Sequence, residues 1–120
     1  MAFADTITFT INAVAKTLNR INQDSYSSEY FLRSTTDEFR AKIRQSSYVA
    51  KNGKTVDRHN VELTQTIYPV APATLSTVRK SYCVMENERS DGLNDPLNFD
   101  LGSVSFLTSA NITKLINYES

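Results

Sequence analysis

The chain has 120 residues, 40% of them hydrophobic, and its 13 basic residues balance 13 acidic ones. That length suits one domain with a modest core, and a net charge of zero excludes inferring a polyanion partner from total charge, so such a case must rest on where the charges sit. A single cysteine, Cys83, excludes an internal disulfide framework and points to a reducing compartment.

The opening segment "MAFADTITFT" has no basic stretch followed by a long apolar run, so no signal peptide is expected. No segment approaches the roughly 18 apolar residues of a membrane span. The chain therefore reads as soluble and intracellular, with no membrane partner, and the "NIT" at 111–113 is a chance match to a glycosylation acceptor.

Residues 5–11 alternate threonine with Ile7, Phe9 and Ile11, which predicts a half-buried strand. A looser alternation of Val14, Lys16, Leu18 and Arg20 predicts a second strand over 14–22. "QDS" at 23–25 reads as a turn, 26–33 as an aromatic-rich strand and 34–38 as a polar turn. Two longer strands follow over about 39–49 and 56–68, joined by "AKNGKT", whose Asn-Gly is a hairpin signal. A two-residue loop would set the cations of "EFRAKIR" on the apolar face of the partner strand. A three-residue loop, Lys51-Asn52-Gly53 with Gly53 left-handed, pairs Lys42 with Glu62, Arg44 with Asn60, Ile43 with Val61 and Ala41 with Leu63. Because a one-residue slip turns every side chain over, the three-residue loop is the expected one. One face then carries Arg40, Lys42, Arg44, Arg58, Asn60, Glu62 and Thr64, and the other Phe39, Ile43, Val61, Leu63 and Ile67.

Two prolines make 69–76 a loop. A last strand spans 77–88, and pattern alone leaves open which of its rows faces the core. Pro96 after Asp95 suits a helix start. Leu97, Leu101, Val104 and Leu107, then Ile112, Leu115 and Ile116, predict two short helices over 96–109 and onward, breaking near Ser109–Asn111. Strands followed by helices give an α+β class. The chain forms a single domain, 1–120, with strands over 1–95 and helices over 96–120.

Nothing in the chain assembles an active site. His59 falls on the apolar row with Val61 and Leu63 and reads as a packed histidine. Cys83 reads as a small buried thiol. No phosphate-cradling glycine loop, metal-spaced Cys/His set or nucleophile elbow occurs. Glu86, Glu88, Asp91, Asp95 and Asp100 cluster around a turn; such oxygens can hold calcium, but the spacing is not that of an EF-hand, and a solvated acidic turn is the preferred reading. No cofactor is expected beyond that possible structural calcium.

The basic strand face is the sharpest feature. It is either a solvated sheet face with a Lys42–Glu62 pair or a nucleic-acid platform. Tyr82 with Lys80 tips the balance: if that row shares the face, cations surround an exposed ring on which a base can stack, contributing about 1–3 kcal/mol. Unstacked bases of an RNA loop suit such a surface.

Four stretches, "INQDSYSSEY" (21–30), "FRAKIRQSS" (39–47), "RHNVELTQTIYP" (58–69) and "KSYCVME" (80–86), resemble in order and spacing the coat proteins of single-stranded RNA bacteriophages, the levivirus type, and most closely its Caulobacter-phage branch. The likeness covers about 20–88; the ends match in layout more than in letters. It implies an N-terminal β-hairpin, a five-stranded antiparallel sheet and two C-terminal helices that interlock with a dimer partner. It implies a homodimer whose joined sheet faces inward, assembling an icosahedral virion capsid in the bacterial host cytoplasm. It further implies binding of the RNA genome and of an operator hairpin, for packaging and for translational repression of the replicase. By the same match, Lys80, Tyr82 and Val84 join Arg40, Lys42, Arg44, Arg58, Asn60 and Glu62 on the RNA side. Small hydroxyl residues of the family's base pockets are replaced here by Arg40 and Lys42, and a frequent asparagine by Val84, so RNA binding with stacking carries over but no base preference does. Phosphate contacts with steep salt dependence are then expected. Loop 69–76 corresponds to the family's loop at the symmetry axes and is expected to take more than one conformation. The alternative is a cellular single-stranded nucleic-acid-binding module with a β-sheet platform; a small enzyme is a third reading without a nucleophile–base pair.

Overall fold

The computed structural model describes residues 3–119, so residues 1, 2 and 120 of the expected domain lie outside the described residues. Six strands form one antiparallel sheet in chain order: β1 (Thr6–Ile11), β2 (Val14–Gln23), β3 (Ser27–Arg33), β4 (Asp37–Val49), β5 (Thr55–Ile67) and β6 (Thr77–Glu88). Two helices follow, α1 (Asn94–Ser105) and α2 (Ser109–Ile116). The class is α+β as expected. The strand count corrects the implied five-stranded sheet plus hairpin: the hairpin β1–β2 pairs directly with β3 in the same sheet, and after the hairpin only the four strands β3–β6 follow. Residues 55–67 hold no glycine or proline to split them, so they run as one 13-residue strand.

The β4–β5 register is the one that the three-residue loop requires. Lys42 pairs with Glu62, Arg44 with Asn60, Ile43 with Val61 and Ala41 with Leu63. Ala50 and Lys54 close the loop, with the Gly53 N–H donating to the Ala50 carbonyl, and Gly53 has φ +82°. Glycine adopts that conformation without steric cost. At the other hairpin, Asn12 and Ala13 turn the chain with φ of 53° and 63°.

One side of the sheet carries the core. Leu18, Tyr30, Phe39, Ala41 and Ile43 are buried there, and Ile7, Phe9 and Ile11 pack on them together with Leu32, Val61 and Leu63. The alternation of β1 thus half-buries its apolar row against the core residues of β2, β3 and β4. Arg20 is tied down inside this layer. Its guanidinium donates to the Asp5 carboxylate at 3.0 Å, to the Phe3 and Ala4 carbonyls and to the Tyr30 hydroxyl, which itself donates to Ala4 O at 3.0 Å.

The helices sit apart from that core. No residue of either is buried, and Leu93, Leu97, Phe99, Leu101, Val104, Phe106, Leu107, Leu115 and Ile116 are exposed. Helix α1 begins two residues before Pro96 and ends at Ser105, so the break falls at Phe106–Thr108 rather than at Ser109–Asn111. The Thr108 side chain sets it: its Oγ1 accepts the Asn111 N–H and caps α2. Helix α1 faces only the Met85–Asn87 end of β6, and Cys83 is exposed, which corrects its reading as a buried thiol.

Candidate RNA-binding face

Cross-strand partners in an antiparallel pair point to the same side, so the registers fix one face without ambiguity. Three rungs cross β4, β5 and β6: Arg40–Thr64–Lys80, Lys42–Glu62–Tyr82 and Arg44–Asn60–Val84. A fourth is Ser46–Arg58–Glu86. All nine expected residues, Arg40, Lys42, Arg44, Arg58, Asn60, Glu62, Lys80, Tyr82 and Val84, therefore share the side opposite the core. The open question about 77–88 is settled: its even-numbered row looks out from the platform, and Cys83 and Met85 lie on the core side with Val61 and His59. His59 is half-buried there, its two ring nitrogens against the side-chain oxygens of Gln45 and Asn87.

Tyr82 stands near the free edge with 67% of its surface open to solvent. A ring so exposed can stack with a planar ligand.

The electrostatics differ from the simple cation ladder. Glu62, whose side chain is only 15% exposed, takes Arg44 at 2.7 Å and Lys80 at 3.3 Å, not Lys42, the residue directly opposite. Arg40 reaches sideways to Glu29 at 2.9 Å and Glu38 at 3.9 Å while its guanidinium lies 4.8 Å from the Phe31 ring centroid. Arg58 has a long contact to Glu86, 3.9 Å, and Glu86 also accepts the Tyr48 hydroxyl. Lys42 alone among these five cations forms no ion pair with a described residue. Five positive side chains are thus interleaved with Glu29, Glu38, Glu62 and Glu86 on one surface.

The sequence reading missed Glu29, Phe31 and Glu38. The period-2 parity of "SSEYFLR" held the signal: Tyr30 and Leu32 belong with the core, which leaves Ser27, Glu29 and Phe31 on the platform, paired with Arg44, Lys42 and Arg40. At one end of the platform a cleft of about 640 Å³ opens between Tyr26, Arg44, Arg58 and Asn60. The acidic turn offers Glu86, Asp91, Asp95 and Asp100 around a second cleft, but among the described residues no three metal-ligating side chains converge.

Residues 4–88 match the family described as the coat protein of phage phiCb5. Solved structures with a similar fold include the virus-like particle of bacteriophage ESE058, 16% identical, TM-score 0.72, with 94% of each chain covered. The virus-like particle of Beihai levi-like virus 21 is 13% identical at TM-score 0.73, covering 99% of this chain and 98% of that one. The coat protein of bacteriophage EMS014 is 13% identical at TM-score 0.64, with 98% of each covered. No curated protein matches the chain.

Proposed function

The chain belongs to the phage phiCb5 coat-protein family, a structural and non-enzymatic capsid protein, and from that premise we propose that it acts as a dimer whose platform faces the RNA inside the shell. The observation that carries this reading is the placement of five cations and an exposed tyrosine on one side of a sheet whose last strand, among the described residues, is paired along one edge only. An unpaired 12-residue edge invites strand addition. A second copy supplies it and carries the platform across two molecules. The exposed apolar helices then cross onto the partner, which removes their large side chains from water.

Dimers of this kind assemble an icosahedral shell in the bacterial cytoplasm around single-stranded RNA. Tyr82 stacks on an unpaired base of an operator hairpin, Lys42 meets a phosphate directly, and Arg44 and Lys80 meet one only in competition with Glu62. That competition moderates the salt dependence that a bare row of cations would give. Binding of the hairpin both marks the genome for packaging and blocks replicase translation. Loop 69–76, with exposed Val70 and Leu75, adapts to the different subunit environments. No cofactor enters this reading; a structural calcium ion would need carboxylates from more than one subunit.

Electron microscopy of the protein expressed alone in bacteria, with extraction of bound nucleic acid, tests the proposal. Closed shells containing RNA are expected. A nucleic-acid-free monomer overturns it, and a small RNA-bound oligomer that never closes favours the cellular platform module instead.

A further inference from the structure

We propose that two copies of the chain join β6 to β6 in a single register, with Cys83 of each strand facing the other across the two-fold axis. The inference rests on the edge-to-edge dimer above and specifies how it is built.

The Arg89 N–H donates to the Thr55 carbonyl at 2.9 Å, and the β5–β6 register runs without a shift. In an antiparallel ladder alternate residues turn both backbone groups to the same neighbour. Odd-numbered residues of β6 therefore bond to β5, and Val78, Lys80, Tyr82, Val84, Glu86 and Glu88 present their N–H and C=O groups outward. If both platforms look the same way, facing residues must share a side of the sheet. The axis then passes through a residue, near the strand's middle: Ser81, Tyr82, Cys83 or Val84.

Charge and length choose among these. An axis at Ser81 leaves Glu86 and Glu88 beyond the partner's strand. One at Val84 sets Lys80 against the partner's Glu88 but opposes Arg79 to the partner's Arg89, twice by symmetry, and like charges directly opposite are destabilising, whereas the Cys83 register has a complementary pair with no like-charge pair. One at Tyr82 sets Glu86 against the partner's Val78 and Lys80 against the partner's Val84, so no charge finds a complement. With the axis at Cys83, Lys80 faces the partner's Glu86 and the reverse, Tyr82 faces the partner's Val84, and residues 78–88 all lie opposite strand or its next residue. Lys80 and Glu86 are each half-exposed and within reach of this contact: Lys80 shares its ammonium with Glu62 at 3.3 Å, and Glu86, which accepts the Tyr48 hydroxyl, has only a 3.9 Å contact to Arg58 as an ion pair. Cys83 itself then occupies a non-hydrogen-bonded pair, where Cα atoms stand about 4.5 Å apart, inside the range a disulfide spans.

Diamide treatment of purified full-length dimer reads the register. Two Cys83 thiols lose two protons and two electrons to the diazene, which becomes the hydrazine, and the two sulfurs join. The expected product is a covalent dimer of 13.5 kDa chains on a non-reducing gel, absent in Cys83→Ser. In that background Ser81→Cys and Met85→Cys cross-link when mixed and neither does so alone. Lys80→Glu weakens the dimer at least about tenfold, two attractive contacts becoming repulsive, and Lys80→Glu with Glu86→Lys restores it. A dimer in native mass spectrometry that resists diamide, or that cross-links through Tyr82→Cys or Val84→Cys in the Cys83→Ser background instead, overturns the register alone. A monomer overturns the edge-to-edge dimer with it.

Discussion

If the platform binds RNA as proposed, replacing Glu62 by glutamine should strengthen that binding although Glu62 lies at the centre of the proposed face. Its carboxylate holds Arg44 at 2.7 Å and Lys80 at 3.3 Å. A phosphate gripping either cation would sit roughly 5.5 Å from that carboxylate, given charge-assisted bonds of about 2.8 Å on each side. At an effective permittivity of about 40, between surface and bulk values, Coulomb's law puts the repulsion at about 1.5 kcal/mol. A Debye length of about 8 Å at 0.15 M salt cuts it to about 0.8 kcal/mol. One phosphate at this site then gives about a fourfold gain in affinity, and two, one on each freed cation, about fifteenfold. Glutamine keeps the shape and a hydrogen-bonding oxygen, so the dimer should persist. Fluorescence anisotropy of a short labelled single-stranded RNA against the disassembled dimer, at two salt concentrations, measures the effect. The gain should shrink as salt rises. An affinity unchanged or lowered at both concentrations would refute the view that this carboxylate competes with RNA for Arg44 and Lys80.

Tyr82→Ala should weaken hairpin binding by about 1–3 kcal/mol, the contribution of one stacked base, with the dimer intact by native mass spectrometry; an unchanged hairpin Kd at fixed salt removes the stacking role. Tyr30→Phe loses the hydroxyl bond to Ala4 O, and chemical denaturation should show a cost of about 1 kcal/mol, kept small because Arg20 still serves that carbonyl at 3.0 Å. Ala13→Gly should stabilise the protein by about 0.5–1 kcal/mol, because alanine at φ 63° carries a steric cost of about 1–2 kcal/mol that glycine lacks, less its entropy loss; a lower melting temperature would contradict this. Acid should destabilise the fold through Asp37 and Asp24. Hydrogen bonds from Ser34 and Gln65 hold Asp37 below the ordinary carboxylate value of 3.8, and those from the Tyr26 N–H, then the Ser27 hydroxyl and N–H, do so for Asp24. A folded-state pKa below the unfolded one gives stability that is present above the unfolded value and lost as pH falls through the folded one, so melting temperature should drop below about pH 4, and less in Asp37→Asn.

Much of this fold can be read from residues because the two long strands constrain each other. Gly53 and the alternation on both sides of it leave one register that keeps Ile43, Val61 and Leu63 together, and the structure has that register. What stayed hidden lies in longer-range geometry. Lys42 and Glu62 are opposite, yet long side chains reach diagonally, so Glu62 pairs with Arg44 and Lys80. Nothing in Asn12-Ala13 signals left-handed residues at the second position, since alanine is not a turn former. Cys83 has the alternation of a core position and looks buried, yet it is exposed in the structure, α1 reaching only the Met85–Asn87 end of that side of β6. Strand parity names a side of the sheet; it does not say which molecule lies over that side.

That uncovered flank has a thermodynamic corollary. Eleven or so aliphatic and aromatic groups between Leu93 and Tyr118 remain wetted in the lone chain, and in the proposed dimer the free energy of hiding them arises only when copies meet. On the proposed dimer the cooperative unit in unfolding is a pair, so its melting point should climb with protein concentration. During infection the same mass-action term would keep the earliest coat chains marginal, and the shell would become robust only once translation has made many of them.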